Sequence, residues 1–232
     1  MKFHSIFSIA SPVIMAAMTL SPSFAQGEEG GYVGTTDEGH NTVVYNFLRH
    51  FSFEQYYYCA SHQWTWNNDK RVDNMDIAIY AGHGNEWLIT DTKGGAIDLS
   101  NAGNTAADGY GDLDCEFIAF QSCYVVPSPA ESASWASAWT SSTGVFDGLH
   151  QAVGFRTVSY QSTDQDMTDT FGFLVEGGAA IWQAWFAAIN LDCLSDEMGC
   201  AVMYPTAEND TYYSFIADPP ASSTWLKVWW QY

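Results

Sequence analysis

Two short apolar runs, each ending in a reactive side chain, constrain this chain more than any other feature. The first, Asp76-Ile-Ala-Ile-Tyr-Ala81, leads into Gly82-His83-Gly84-Asn85. The second, Glu116-Phe-Ile-Ala-Phe120, leads into Gln121-Ser122-Cys123-Tyr124. Each has the length of a buried strand, is rich in Ile, Phe and Tyr, and is bounded by Gly, Asp or Ser. Laid side by side and parallel, they deliver His83 and Cys123 to the same carboxyl edge of a sheet, where open α/β sheets place their sites. A thiol beside an imidazole is a nucleophile beside its base.

The rest of the chain supports one domain built around that pair. With 232 residues, 47% of them hydrophobic and 16% aromatic, there is material for a substantial single core. Residues 1–25 stand apart. Lys2 and His4 precede an apolar stretch from Ile6 to Leu20 interrupted by Pro12, and Ser23-Phe-Ala25 supplies the small residues of a cleavage site. This predicts a secretory signal peptide cut after Ala25 and a secreted or periplasmic product, with no membrane insertion after cleavage. Residues 26–40 are Gly-rich and acidic and predict a flexible lead-in. Residues 41–232 then form the single domain. The formal net charge of −20 argues against nucleic acid and anionic membranes as partners.

Along the domain, strand-like and helix-like patterns alternate, which predicts an α/β three-layer sandwich with a mostly parallel central sheet flanked by helices. Residues 42–50 read as a short helix capped by Asn41, and residues 53–66 as an extended aromatic stretch. Residues 86–114 form a long Gly-, Asn- and Asp-rich loop. Residues 127–140 predict a helix, with Ser128 as N-cap, Pro129 and Glu131 in its first turn, and Trp135 and Trp139 on one face. A strand over 145–155, helices beginning near Ser162 and Ala179, and an aromatic edge strand near the C-terminus complete the pattern. Asp108, Asp112 and Asp114 suggest a minor calcium option, although the glycines do not fall where an EF-hand loop needs them. The six histidines show no zinc spacing, and neither a phosphate-binding loop nor a dinucleotide fingerprint is present, so no cofactor is implied.

Five cysteines in an exported protein leave one thiol over. Cys193 and Cys200 flank a short segment and are candidates for one disulfide, with Cys59 and Cys115 for the other. That partition leaves Cys123 free. It is one of three connectivities that the four other cysteines allow.

Here the residues resemble a known group. A strand ending in His-Gly followed by a strand ending in Cys resembles the caspase–gingipain–clostripain superfamily of cysteine peptidases. Gln121-Ser122-Cys123 is similar to the Gln-Ala-Cys of caspases, and the 40 residues between His83 and Cys123 are near the spacing of about 50 in that family. The resemblance implies His83 as base, Cys123 as nucleophile and Gly84 as an oxyanion donor, with Gln121 and Ser122 beside them. Tyr124-Val125 departs from the Arg-Gly that follows the caspase Cys, and no specificity-pocket residue carries over. The layout also resembles a poorly characterised bacterial family of exported caspase-like proteins, through Gly82 to Gly84, Gly111 to Asp114, Ser122-Cys123 and Phe146 to Phe155. Trp64, Trp66 and Trp87 are candidates for a substrate cleft. His150 is read as a packing residue with an optional place beside the dyad.

The functional expectation is therefore an exported cysteine hydrolase of the peptidase type, acting through a Cys–His dyad and an acyl-enzyme on a peptide or small-molecule substrate. Two rivals remain open: a thiol-dependent lyase, isomerase or hydratase acting on a small apolar molecule, and a binding protein that keeps the fold without turnover.

Overall fold

A computed structural model describes residues 28–51, 54–101, 109–141, 144–214 and 221–232. In chain order its elements are β1 (Glu29–Val33), α1 (Glu38–Leu48), β2 (Glu54–Tyr58), β3 (Ile77–Ala81), β4 (Gly84–Asn85), β5 (Leu88–Thr90), β6 (Ala96–Asp98), β7 (Phe117–Gln121), α2 (Trp135–Thr140), β8 (Gln151–Phe155), α3 (Gln161–Glu176), α4 (Ile181–Asp192), β9 (Gly199–Met203) and β10 (Lys227–Trp230). Short 3-10 turns fill much of the stretch from Ser61 to Asn74. The expected signal segment, residues 1–25, lies outside the described residues. Among the described residues no helix is long and apolar enough to cross a membrane.

The main sheet has seven strands in the order β10-β9-β8-β7-β3-β1-β2. The five from β2 to β8 run parallel, and β9 and β10 close one side as an antiparallel pair. A right-handed crossover places the connection on one face when the chain steps one way and on the other face when it steps back. The step from β1 to β2 puts α1 on the first face, where it packs with α3 and α4 around Phe47, Phe171 and Trp185. The steps from β3 to β7 and from β7 to β8 run the other way, and their connections cover the second face. That face is built from the small sheet β4-β5-β6, α2 and aromatic loops, with Trp64, Tyr110 and Trp139 buried in it.

Strands buried on both faces feed two cores by alternation. Ile77, Ile79, Phe117 and Ala119 point to the helical side, and Ala78, Tyr80, Ile118 and Phe120 to the aromatic side. The two apolar runs of the sequence are these adjacent central strands.

Within the expected flexible lead-in, Glu29–Val33 form an interior strand instead. β1 is buried along its whole length between β2 and β3. Its glycines serve packing. A Cβ on Gly31 would run into Val44 and meet Leu48 Cδ1 at 2.8 Å, so the missing side chain is what lets α1 lie close to the sheet. α1 also starts earlier than expected, at Glu38, because Asp37 rather than Asn41 caps it: Asp37 Oδ1 accepts from His40 N at 3.1 Å. The helix expected over 127–140 shortens to α2. Ser128 N still donates to Glu131 Oε2 at 2.7 Å, so the capping signal forms as a turn ahead of the helix.

Candidate active site

Parallel pairing of β3 with β7 sets Ala81 opposite Gln121, and Gly82 N donates to Gln121 O at 3.2 Å just past the last pair. Neighbouring strands lie about 4.8 Å apart. Two residues further along each strand, His83 and Cys123 leave the sheet side by side, and both line one cavity of about 320 Å³. The cavity sits at the carboxyl edge beside the point where the chain exits β1 toward one side and β3 toward the other, the crevice that open α/β sheets use for ligands. Its other walls are His40, Gly82, Gln121 and the segment Ser159 to Ser162.

Each side chain of the pair is carried on a constrained turn. The Tyr80 hydroxyl lies 3.0 Å from His83 O and 2.9 Å from Thr90 O, and Thr90 N donates to His83 O at 3.1 Å. A Cβ on Gly82 would strike that hydroxyl, so glycine is needed where the chain passes over the ring. The Thr90-to-His83 bond makes Gly84 and Ile89 a non-hydrogen-bonded pair, which turns the Gly84 N–H away from its hairpin partner. After Cys123 the chain turns sharply. Tyr124 adopts φ +60°, a left-handed conformation costing about 1–2 kcal/mol for a non-glycine residue, and its N–H donates to Thr157 O at 2.9 Å. Cys123 Sγ itself donates to Ser159 O at 3.6 Å.

His40 and Asp37 are among the residues of this site that the sequence does not single out. His40 comes from the first turn of α1, lies almost wholly buried, and meets the His83 ring edge-on at 5.6 Å and 69°. Its Nδ1 lies 2.9 Å from Asp37 Oδ2 and 3.2 Å from Thr35 Oγ1. Burial pushes the His40 imidazole below its ordinary value; Asp37 opposes that and His83 adds to it. Burial would raise Asp37, but the backbone N–H and ring of His40 outweigh it and hold the carboxyl below the usual range. The only sequence signal was Asp37 three residues before His40, a helix-start pattern.

The floor of the cavity is a buried polar cluster. Gln121 Nε2 donates to Asp164 Oδ2 at 2.5 Å and to Ser159 Oγ at 2.7 Å, and Ser159 Oγ donates to the same carboxyl oxygen at 2.7 Å. Burial pushes Asp164 up to about 7, with the Glu197 charge adding to it and the Ser159 and Gln121 hydrogen bonds opposing. Behind it, Cys193 Sγ donates to Asp164 Oδ1 at 3.5 Å. Asp164, Cys193 and Glu197 have ligand atoms within 4.8 Å of one another, the one such group among the described residues. Their oxygens already accept from Gln121, Ser159, Thr163, Tyr160 N and Leu194 N.

Several expected site residues lie elsewhere. His150 stands just before β8, at the opposite end of the strands from Cys123, with Nδ1 2.7 Å from Asp210 Oδ2. Trp87 and Trp64 are buried in the aromatic core, and Trp66 is exposed outside the cavity lining. Ser122 is fully buried beneath the turn at Gly84, whose Cβ would strike its hydroxyl, and does not line the cavity. Cys59, Cys115, Cys123, Cys193 and Cys200 are all free thiols. Cys193 packs against the helical core and Cys200 lies in the aromatic core, so the sheet separates the pair expected to bond. The odd-count argument for Cys123 therefore fails, although its thiol is free. In the calcium option, Asp108 lies outside the described residues. Asp112 faces the fully buried Asp73, whose carboxyl is pushed up to about 9 by burial and by Asp112. Gly111 N donates to Asp73 Oδ1 at 2.5 Å, so this stretch docks a loop onto the core.

A family described as a domain of unknown function, DUF6345, matches residues 16–226. No curated protein matches the chain. Among solved structures, the chain is similar to the Arg-specific cysteine proteinase gingipain R, with a TM-score of 0.46 and 10% identity over 81% of this chain and 45% of that one. It is similar to the complex of Porphyromonas gingivalis RgpB pro- and mature domains, with a TM-score of 0.46 and 11% identity over 70% and 43%. It is also similar to an inactive zymogen C11 protease from Parabacteroides distasonis, with a TM-score of 0.40 and 14% identity over 78% and 63%. The chain spans less than two thirds of the length of each. Likeness at this level carries no activity across to it.

Proposed function

The chain belongs to the DUF6345 family, and from its site we propose a cysteine hydrolase of the peptidase type, working through Cys123 and His83. The observation that carries this reading is the register of β3 and β7, which sends a thiol and an imidazole into one cavity from adjacent strand ends. The Gln-Ser-Cys and Gly-His-Gly motifs support it from the sequence.

In this reading His83 takes the Cys123 proton, and the thiolate attacks a substrate carbonyl carbon. A C–S bond forms while the carbonyl electrons move onto oxygen. The N–H groups of Gly84 and Cys123 are the candidate donors to that oxyanion in this reading, each such donor being worth about 3 kcal/mol. Collapse breaks the C–N bond, and the leaving amine takes the proton from His83. Water, giving its proton to His83, then attacks the thioester and releases the acid and the free thiol. The lining mixes polar and apolar surface, and its Gln121, Ser159, Gln161 and Ser162 side chains offer hydrogen-bonding partners that suit a peptide. Export is a companion proposal, tested by whether the mature chain begins at Gln26.

The test is a set of peptidyl acyloxymethyl ketones, with adducts mapped by mass spectrometry, run beside a peptide-cleavage library. A thioether at Cys123 together with cleavage that is lost in Cys123→Ala supports the proposal. Neither adduct nor cleavage across the set leaves the non-catalytic binding protein as the better account.

A further inference from the structure

His83 stands on an exposed, glycine-flanked turn, and an exposed imidazole samples several rotamers. A base that wanders is a poor base, since misplacement by about 1 Å can cost about a hundredfold in rate. The ring it rests against is that of His40, in the edge-on geometry given above. Contacts of that kind favour one ring placement by about 2- to 12-fold.

His40 is itself tightly held. One Asp37 carboxylate accepts the His40 backbone N–H through Oδ1 and the ring Nδ1–H through Oδ2, so the cap that starts α1 also fixes this ring. The Thr35 hydroxyl lies against the same nitrogen. We propose that His40, anchored by Asp37, is a positioning residue for His83, setting the ring of the proposed base in the cavity it shares with Cys123. This rests on the reading of Cys123 and His83 as a reacting pair.

Charge makes the arrangement selective. The groups facing the two imidazoles are Asp37 from the α1 cap, Cys123 from the end of β7 and Tyr160 ahead of α3, whose hydroxyl bonds to Asp196. Among the described residues no Lys or Arg lines the cavity. With one carboxylate beside two rings, a proton on His40 repels a proton on His83. Burial lowers the affinity of the His40 ring for a proton, His83 adds to that and Asp37 opposes it.

The experiment measures the rate of iodoacetamide alkylation at Cys123 against pH, in the whole protein and in four variants whose melting curves are checked first. His40→Asn keeps a donor for Asp37 but has no ring, and its rate at neutral pH is expected to fall about 2- to 12-fold. His40→Phe restores the ring edge without a charge. It is expected to recover most of the rate. Asp37→Asn is expected to behave like a milder His40→Asn. As a readout independent of rate, the His83 Cε1–H resonance should collapse toward its unstructured shift in His40→Asn and not in His40→Phe. Wild-type rates and profiles in all three, with His83→Ala slowed, overturn the positioning role alone. An unchanged His83→Ala overturns the reacting pair, and the positioning role with it.

Discussion

Replacing Asp164 with Asn sets burial against ionisation in the polar cluster that Gln121 and Ser159 of the cavity wall bond to. Asp164 is fully buried, and burial pushes its carboxyl from an ordinary 3.8 up to about 7. Below the unfolded value both states hold the proton, and the group contributes no pH dependence. As pH rises from about 4 to 7, the unfolded chain gives up its proton while the folded protein keeps it. Each unit then lowers stability by about 1.4 kcal/mol, and above about pH 7 the loss levels off. The whole window amounts to roughly 4 kcal/mol. Stability from this group is thus fully present in acid and lost as pH rises through its folded value. Asn has the same shape and no charge, so the variant lacks this slope. Urea unfolding of both proteins from about pH 4 to about pH 8 reads it directly. Asp73, pushed up to about 9, slopes in the same direction in both proteins and cancels in the difference. The wild type should lose ground to Asp164→Asn steadily up to about pH 7 and then hold level. A difference that stays constant with pH refutes a buried, ionisable carboxyl at this position.

Three further outcomes follow from the geometry. Gly31→Ala places a methyl against Val44 and at 2.8 Å from Leu48 Cδ1, and should cost about 1–3 kcal/mol in unfolding experiments; no loss would mean that α1 does not pack on β1. Gly84→Ala would bring its methyl to 2.5 Å from Leu88 O, a backbone atom that cannot yield. It should shift the turn carrying His83 and slow Cys123 alkylation by about tenfold to a hundredfold while circular dichroism stays native. Protein unfolded without reductant should titrate five thiols with Ellman's reagent, whereas a count of three or one would reveal a disulfide.

The central sheet was legible because β3 and β7 are buried on both faces and read as continuous apolar runs. The pairing of Ala81 with Gln121 follows from matching those runs end to end. β1 was not legible, because Glu-Gly-Gly-Tyr-Val carries the composition of a linker. Only the nearness of Val44, Leu48 and Met75 explains why glycine belongs there. His40 was missed for a related reason: it lies on a helix after β1, and only the placement of β1 beside β3 brings its ring to His83. The disulfide pairing failed because closeness in sequence says nothing about which face of the sheet a residue occupies. Cys193 follows a helix on one side, and Cys200 points from β9 into the other. The optional place of His150 beside the dyad fails on strand direction. The parallel direction of β8 puts its start, and His150, at the far edge.

The claim most in need of a direct test is that Cys123 reacts as one member of a thiol–imidazole pair. The decisive measurement is the second-order rate of iodoacetamide alkylation at Cys123, site-mapped by mass spectrometry at neutral pH, in the wild type and in His83→Ala. The account predicts a wild-type rate at least about tenfold above that of the variant, and well above that of the buried Cys200 in the same sample. Equal rates at Cys123 in the two proteins would contradict it.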